Sequence, residues 1–287
     1  MIDGLVVVDK AAGWTSHDVV AKCRGIFGQK RVGHAGTLDP GATGVLLVGL
    51  GRVTRLLRYP GALTKAYVGQ VVLGTETSTL DDEGEVVATH DMGGVTLDDV
   101  RAAGAQFVGE IEQVPPMVSA VKVGGRRLHE LARAGEEVER EPRPATVYSF
   151  EVAAGPEPGV FTVEVRCSAG TYIRVLAADI GHALGGGAHL RALRRTAVGE
   201  FSVAEARPVE ALGPDAVLAP IEAMRGYPRV SIDEAAAADV AHGKVLPLDA
   251  LTVDGDGPWA VVGPGGDLLA VYEPYEEGLV KPAVVIS

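Results

Sequence analysis

The sequence predicts an α/β body followed by a small β-rich domain. Strand-like apolar runs alternate with segments of helical periodicity through the first 226 residues. Past Ala223 the chain becomes acidic and rich in Gly and Pro, with short apolar runs typical of a small β-barrel or half-barrel. We therefore place a domain boundary near Tyr227. With 287 residues, 47% hydrophobic and 22% charged, the chain can bury a sizeable core.

The body begins with a predicted strand, turn and helix. Residues 4–10 form a β-rich run, and Thr15 before Asp18 is typical of a helix N-cap. Residues 45–50 predict a buried strand, and residues 53–57 predict the start of a helix that Pro60-Gly61 ends. The same criteria predict strands at 67–74, 161–167, 259–262, 268–272 and 282–286, and helices at 97–107 and 175–184.

A glycine-rich loop at residues 33–44, GHAGTLDPGATG, precedes the buried strand. Five of its twelve residues are Gly or Pro, so its backbone can bend and lie close to a ligand. Asp39 is the single acid between residues 20 and 60, where seven bases occur: Lys22, Arg24, Lys30, Arg31, Arg52, Arg55 and Arg58. One acid among cations indicates a site for a polyanionic substrate. The alternative is an ordinary turn in which Asp39 caps its own backbone.

The charge distribution leaves a nucleic-acid partner open despite a formal net charge of -12. From residue 227 onward ten acids face three bases, so this part carries -7 and the preceding part only -5. In the body the bases gather at residues 20–60, 122–133 and 191–195, and local patches decide nucleic-acid binding. From spacing alone, Arg191, Arg194 and Arg195 fit a solvated face as well as phosphate contacts.

Other features narrow the class of protein. Cys23 and Cys167 form no disulfide framework or metal-ligand spacing and are expected to fill the core, and the seven histidines do not cluster. No apolar run could span a bilayer, and the N-terminus carries acids where a signal peptide carries bases, so we expect a cytoplasmic protein. Pro115-Pro116 and the Gly124-Gly125 pair before a basic helical segment up to Arg133 predict a mobile arm.

Residues 33–56, GHAGTLDPGATGVLLVGLGRVTRL, closely resemble the active-site loop of the TruB-type family of bacterial tRNA pseudouridine-55 synthases. Further stretches resemble the family's other segments in the same order: residues 10–16, 65–67 with 73–77, 115–122, 167–174, and 187–189 with 193–195. The resemblance spans most of residues 1–226.

The resemblance implies a fold and an activity. The fold would be an α/β (α+β) catalytic domain at 1–226, with a mixed, mostly antiparallel central sheet flanked by helices and an RNA-binding arm at about 115–143. A PUA-like β domain would follow at 227–287. The activity would be isomerisation of uridine to pseudouridine at position 55 in the T-arm of tRNA. The base is flipped out, detached at N1, turned and rejoined through C5. The resemblance implies no cofactor, metal or protein partner, and a monomer.

The same resemblance assigns roles to individual residues. Asp39 matches the aspartate that starts the reaction, either as a nucleophile or as a base at the ribose. Arg174 matches its arginine partner, and we expect that guanidinium to lower the pKa of Asp39. Tyr67 matches the tyrosine that stacks on the base. The substrate-binding positions are His34, Tyr67, Tyr172, Arg174 and Leu193. The RNA-facing bases are Lys122, Arg126, Arg127 and Arg133 on the arm, and Arg191, Arg194 and Arg195 on the floor.

The chain departs from the family pattern at several positions. Ala11 replaces a usual proline, Val118 and His129 replace usual tyrosines, and Glu76 replaces a usual aspartate before a longer acidic run. These departures concern the arm and local RNA contacts rather than the Asp39–Arg174 pair. The rivals are a non-catalytic RNA-binding module, a related synthase acting on another RNA, and a nucleotide-binding enzyme, although neither GxGxxG nor GxxxxGK[ST] occurs in the loop.

Overall fold

The structure, a computed structural model, describes residues 2–119, 121–251, 253 and 255–286. Its α-helices are α1 (Ser16–Ile26), α2 (Arg58–Ala62), α3 (Leu97–Ala105), α4 (Leu128–Arg133), α5 (Ile173–Ala183) and α6 (Glu234–Ala241). Its strands are β1 (Gly4–Lys10), β2 (Val32–Ala35), β3 (Thr43–Leu50), β4 (Lys65–Leu73), β5 (Thr75–Thr77), β6 (Val86–Thr89), β7 (Gly109–Gln113), β8 (Lys122–Val123), β9 (Arg126–Arg127), β10 (Arg143–Ala154), β11 (Val160–Cys167), β12 (Ala188–Val198), β13 (Phe201–Ser202), β14 (Arg207–Pro208), β15 (Arg229–Ser231), β16 (Leu246–Pro247), β17 (Trp259–Val262), β18 (Leu268–Pro274) and β19 (Leu279–Val285).

A ten-stranded mixed sheet forms the centre of the body. Its order is β14-β1-β3-β12-β4-β11-β10-β7, with β2 paired to β3 and β13 paired to β12. The β1–β14 and β3–β12 pairs are parallel, and the other pairs recorded for this sheet are antiparallel. The expected α/β fold with a mixed, mostly antiparallel sheet is confirmed.

Strands β1 and β3 are buried on both faces. In β1, Val6 and Val8 belong to a core that also contains residues of α1 and α5, while Leu5 and Val7 belong to a second core on the other face. The run at 45–50 divides in the same way and is fully buried. A strand covered on both faces has no solvent side, and this explains why both sequences are continuous apolar runs without polar alternation.

Of the two helix starts predicted near the N-terminus, one is confirmed and one is wrong. Thr15 caps α1 through a capping box with Asp18, as the sequence predicts. The helix predicted at 53–57 and ended by Pro60 is wrong: Gly51–Arg55 is a 3₁₀ helix, and Pro60 lies inside α2. Proline is tolerated there because the first turn of a helix has no hydrogen bond for its missing N–H to make.

The Gly124-Gly125 pair forms a hairpin turn. Both residues have positive φ, 58° and 84°, and they join β8 to β9 with Val123 opposite Arg126. Two successive residues with positive φ are what a two-residue hairpin turn requires. The basic helical segment predicted directly after the glycines is therefore wrong over its first residues, and the helix begins at Leu128.

The C-terminal part forms a five-stranded sheet in the order β15-β17-β18-β19-β16, which confirms the expected β-rich domain. It packs on the second core through Leu268, Val271 and Ile286. Polar contacts add to this packing: Arg55 Nη1 donates to Val285 O at 2.7 Å, and Arg58 Nη2 lies 2.7 Å from Glu273 Oε1. In the part of the chain that the structure describes, no helix is long and apolar enough to cross a membrane.

Candidate active site

The loop that carries Asp39 connects β2 to β3 and is held on both sides of the carboxylate. Before it, Leu38 N–H donates to Ser16 Oγ at 2.9 Å, and Ser16 Oγ donates back to Leu38 O at 3.2 Å. After it, Pro40 O accepts from Gly13 N–H at 2.9 Å and from Lys10 Nζ at 3.1 Å. Because both neighbours are fixed, Asp39 has a defined position although it lies in a glycine-rich loop.

Close backbone packing explains one glycine of this loop. Gly44 has φ 101°, and a Cβ placed on it would lie 2.2 Å from Arg195 O of the adjacent parallel strand. Any side chain would therefore clash with backbone as well as strain the turn. The contact joins the end of the loop directly to β12.

Arg174 meets Asp39 from the first turn of α5. Its Nε lies 3.0 Å from Asp39 Oδ2, and its Nη1 lies 3.4 Å from Asp81 Oδ2. The guanidinium also donates to Thr79 O and Val118 O, both at 2.9 Å, and only 5% of the side chain is exposed. Four contacts of one planar group leave it little freedom. The departure at Val118 does not affect this contact, because Arg174 binds its backbone carbonyl.

Neighbouring strands of the sheet contribute the next wall. Tyr67 on β4 lies opposite Arg195 on β12, and Leu193 lies opposite Gly69. Lys65 precedes Tyr67 by two residues, and Leu193 precedes Arg195 by two, so each pair projects from one face of its strand. The antiparallel register therefore brings all four side chains together.

Tyr172 completes the wall and is oriented by a buried amide. Gln113 Nε2 donates to Tyr172 O at 3.1 Å, and Tyr172 N–H donates to Gln113 Oε1 at 2.9 Å. This reciprocal pair fixes the backbone just before α5. Sequence reasoning missed Gln113, which lies at the end of β7 and belongs to no motif.

These groups enclose a cavity of about 240 Å³. Its lining includes Asp39, Lys65, Tyr67, Tyr172, Arg174, Leu193 and Arg195. The structure thus brings five of the six predicted site residues together. His34 is not among the lining residues; it lies on β2 with its ring 5.4 Å from that of His17, edge to face. Burial lowers the pKa of His34 to about 4, so its imidazole is neutral at pH 7.

The predicted direction of the Asp39 pKa is wrong. Loss of water around the carboxylate raises its pKa above the ordinary value of 3.8, Arg174 opposes the shift, and the charge of Asp81 adds to it. The upward causes outweigh the guanidinium because loss of water is the largest single cause. The Asp39 side chain is 41% exposed, which leaves it accessible from the cavity.

Tyr67 and Tyr172 keep their phenolic protons at neutral pH. Burial raises the pKa of both hydroxyls. The Arg195 guanidinium beside Tyr67 opposes its shift without cancelling it. Tyr67 therefore presents a neutral aromatic ring with a polar edge, suited to stacking on a base.

The cations near Asp39 are not the ones that its sequence neighbours suggest. None of the seven bases at residues 20–60 lines the cavity. Arg52 pairs with Asp3 at 2.8 Å and donates to Ile286 O, and Arg55 and Arg58 contact the C-terminal sheet. The cavity takes its cations from β4, α5 and β12 instead. Seven bases do surround Asp39 in the sequence, but the expectation that these bases also surround it in space was wrong.

The three arginines of β12 separate into surface and buried groups. Arg194 makes a two-pronged ion pair with Asp9, with distances of 2.9 and 2.8 Å, and Arg191 pairs with Glu157. Arg195 is buried and lines the cavity. The three arginines therefore form neither a uniform solvated face nor a uniform phosphate-binding floor.

On the predicted arm, Arg126 pairs with Glu136 at 2.9 Å, while the side chain of Arg133 lies outside the described residues. Cys23 and Cys167 are buried and free, as expected for core residues. Among the residues that the structure describes, no group of three or more His, Cys, Asp or Glu is arranged to hold a metal ion.

Three family profiles match the chain in succession. The profile described as "TruB family pseudouridylate synthase (N terminal domain)" matches residues 24–173. The one described as "tRNA pseudouridylate synthase B C-terminal domain" matches residues 174–224. The one described as "tRNA Pseudouridine synthase II, C terminal" matches residues 227–287.

Similar proteins cover nearly the whole chain. The tRNA pseudouridine synthase B of Rhodococcus jostii (strain RHA1) is 47% identical over 277 residues, or 94% of this chain and 90% of the relative. That of Arthrobacter sp. (strain FB24) is 44% identical over 299 residues, or 100% and 97%. A crystal structure of a Cbf5–Nop10–Gar1 complex matches with a TM-score of 0.77 and 28% identity over 99% of this chain and 85% of that chain. An H/ACA RNP bound to a substrate RNA containing 2′-deoxyuridine matches with 0.74 and 26% over the same shares.

Proposed function

The chain belongs to the TruB family of pseudouridylate synthases, and we propose that it isomerises the uridine at position 55 in the T-arm of tRNA. The resemblance noted in the sequence is confirmed, and the activity is that of a tRNA pseudouridine synthase, an isomerase. The observation that supports a catalytic protein over a binding module is the 3.0 Å pair between Arg174 and Asp39 in a cavity of base size.

In the proposed reaction Asp39 acts first. As a nucleophile its carboxylate attacks C1′ of the flipped nucleotide, and as a base it removes the C2′ proton; in either case the C1′–N1 bond breaks. Arg174 holds the carboxylate in one orientation through Nε while its other nitrogens are bound to Asp81 and to two carbonyls. This contact prepares the geometry before the substrate arrives.

Tyr67, Tyr172 and Leu193 position the base. Tyr67 offers a neutral ring for stacking, and Tyr172 and Leu193 confine the pyrimidine from the sides. Flipping the nucleotide costs on the order of a few kcal/mol, which stacking in this cavity and phosphate contacts outside it offset. His34 lies outside the cavity lining, so we propose that it contacts the RNA next to the flipped nucleotide rather than the base itself.

The proposal extends to domain organisation, cofactor requirement and oligomeric state. The catalytic domain would comprise residues 1–226 with the arm at 115–143, and residues 227–287 would form the PUA-like domain. The chemistry requires no redox change or hydrolysis, so we propose that the protein needs no cofactor. We also propose that it works as a monomer in the cytoplasm, on tRNA.

Tritium release from a T-arm stem-loop labelled at C5 of the target uridine tests the proposal. The native protein should release tritium, while Asp39→Asn should release none and still bind the RNA. Asp98→Asn makes the same chemical change on α3, where the side chain is 89% exposed, and should match the native protein. Full activity of Asp39→Asn would contradict the catalytic role. Activity on ribosomal RNA fragments but not on the T-arm would contradict the substrate.

A further inference from the structure

Two buried cations line one side of the cavity, and both donate to backbone carbonyls, while Arg195 also forms a side-chain hydrogen bond with Tyr67. Lys65 Nζ donates to Gly61 O and Leu63 O, both at 2.7 Å. Arg195 donates from Nε to Val45 O at 2.7 Å and from Nη2 to Gly36 O at 3.0 Å. They are 5% and 1% exposed. Within the described residues, no Asp or Glu oxygen lies within 4.0 Å of either cation.

The two cations approach the same point of the cavity wall. Gly36 lines the cavity, and a Cβ built on it would lie 3.5 Å from Arg195 Nη1 and 3.7 Å from Lys65 Cε. Tyr67 lies between them in the sheet, two residues after Lys65 on β4 and opposite Arg195 on β12. Their charges therefore act on the same volume, beside the ring that is proposed to stack on the base.

The positive charge on this side is not neutralised by nearby groups. Burial raises the pKa of the neighbouring Cys167 thiol to about 11, and the pKa of Tyr67 is also raised, so both are uncharged at pH 7. Asp39 is engaged with Arg174 at 3.0 Å. Among the residues that the structure describes, the charged side chains that line the cavity are thus three cations and one acid.

A neutral uracil does not need such a wall, and burying unpaired cations opposes folding. The need arises when the C1′–N1 bond breaks. The bonding electron pair stays with the base, which becomes an anion delocalised over N1, C5 and both carbonyl oxygens. The preceding step leaves C1′ joined to Asp39 or leaves the sugar without its C2′ proton. When C5 bonds to C1′, the Asp39 carboxylate is displaced or, on the other path, Asp39 returns the proton to C2′, and the adduct is neutral. The adduct then loses its C5 proton while N1 takes up a proton.

We propose that Lys65 and Arg195 stabilise the detached base as its anion, from cleavage at N1 until C5 rejoins the sugar. Preorganised charge in a site with little water stabilises an anion without any rearrangement. Phosphate is the other anion that this RNA offers. The burial of both cations inside the cavity wall favours the base, because phosphates lie along the strand outside. The inference rests on the proposed function.

A change of leaving group tests the inference. Fluorine at C5 withdraws electrons and makes uracil a better leaving group, so 5-fluorouracil depends less on external charge. T-arm stem-loops with uridine or 5-fluorouridine at the target are incubated with excess protein. The loss of the N1-linked nucleoside is followed after nuclease digestion by mass spectrometry. Unlike tritium release, this readout does not require departure of a C5 proton.

Lys65→Met should slow the reaction of uridine by about 10²-fold and that of 5-fluorouridine by no more than about tenfold, with an unchanged Kd for the RNA. Lys65→Gln keeps a donor for the carbonyls but lacks the charge, and should show the same selective loss; it replaces Lys65→Met if that variant fails to fold. Lys65→Arg restores the charge and should recover most of the rate.

Lys10→Met is the matched control. Lys10 is also buried and bound by three backbone carbonyls, but it is not among the cavity-lining residues. Its loss should slow both substrates by the same factor. Equal slowing of uridine and 5-fluorouridine by Lys65→Met and by Lys65→Gln would overturn the inference, and a weaker Kd with a smaller salt dependence would assign the charge to phosphate. A native protein that converts neither substrate would instead contradict the proposed function.

Discussion

The two sides of the cavity hold their cations differently. On one side Arg174 contacts two carboxylates, Asp39 at 3.0 Å and Asp81 at 3.4 Å. On the other side Lys65 and Arg195 donate to backbone carbonyls. A carboxylate partner both orients a cation and neutralises it, whereas a carbonyl orients it and leaves most of its field intact. The first arrangement suits the positioning of a reactive acid, and the second suits the stabilisation of an anion that appears only during the reaction.

The largest effect is expected on the carboxylate side. Arg174→Met should reduce the single-turnover rate by about 10³-fold, because Asp39 would face Asp81 without the cation that fixes both. Arg174→Lys should recover only part of the rate, since an ammonium cannot reproduce the guanidinium contacts to Thr79 and Val118. Rapid-quench kinetics measure the rate. Equal rates for Arg174→Lys and the native protein would show that charge alone is sufficient.

The second prediction concerns the pH dependence of the carbonyl side. Burial lowers the pKa of Lys65 to about 8, and the charge of Arg195 adds to the shift. The cation is the active form, so the rate should fall above pH 8, by up to about tenfold for each pH unit. The groups that act on Lys65 are Arg195 and Cys167, and Cys167 titrates higher, at about 11.

Two substitutions show which lysine causes the fall in rate above pH 8, which is the basic limb of the pH profile. Lys65→Arg should move it to higher pH, whereas Lys10→Met should retain it, although the pKa of Lys10 is also lowered to about 8. If the fall in rate at high pH persists in Lys65→Arg and disappears in Lys10→Met, the titrating group is Lys10, which donates to the loop that carries Asp39. The charge of the carbonyl side would then have no role at this pH.

The third prediction concerns the acid limb. Asp39 must be ionised to act, and its pKa lies above 3.8, so kcat/KM should fall at a higher pH than for an ordinary aspartate. Asp81→Asn removes a negative charge that raises the Asp39 pKa, and it should move the limb to lower pH. A limb at or below pH 3.8 would show that Arg174 dominates after all.

The smallest effect is expected far from the cavity. Arg58→Met removes an exposed ion pair with Glu273 and should lower the free energy of unfolding by no more than about 1 kcal/mol. Catalysis should be unchanged, because Arg58 does not line the cavity. Thermal unfolding and a single-turnover assay on the same sample measure both. A slower reaction would show that docking of the C-terminal sheet affects the cavity.

The sequence predicts elements well where local pattern and tertiary setting agree. The run at 45–50 is apolar throughout because β3 is covered on both faces, so its composition alone indicates a buried strand. Thr15 and Asp18 form a cap from residues three apart. The Pro60 prediction was wrong because proline ends a helix only in its interior, and the sequence does not show where the helix begins.

The site depends on contacts that no local pattern contains. Asp39 and Arg174 are 135 residues apart by subtraction, and only the family resemblance indicated that they meet. The cations beside Asp39 are brought there by the register of β4 with β12, whereas the nearby Arg55 and Arg58 point to another sheet. The pKa of Asp39 was predicted in the wrong direction because burial is a property of the assembled cavity.

The contacts between the first and last strands constrain the order in which the protein can fold during synthesis. Arg52 donates to Ile286 O across 234 residues, and Leu5 and Val7 share a core with Val284 and Ile286. A chain emerging from the ribosome can pair β1 with β3 early, and residues 53–59, 201 and 223–224 join the same core before residues 284 and 286 complete it. Because contacts so distant along the chain form slowly, the nascent protein leaves part of this apolar core exposed until the last strand has been made. Demand for chaperones should therefore end with the arrival of these residues.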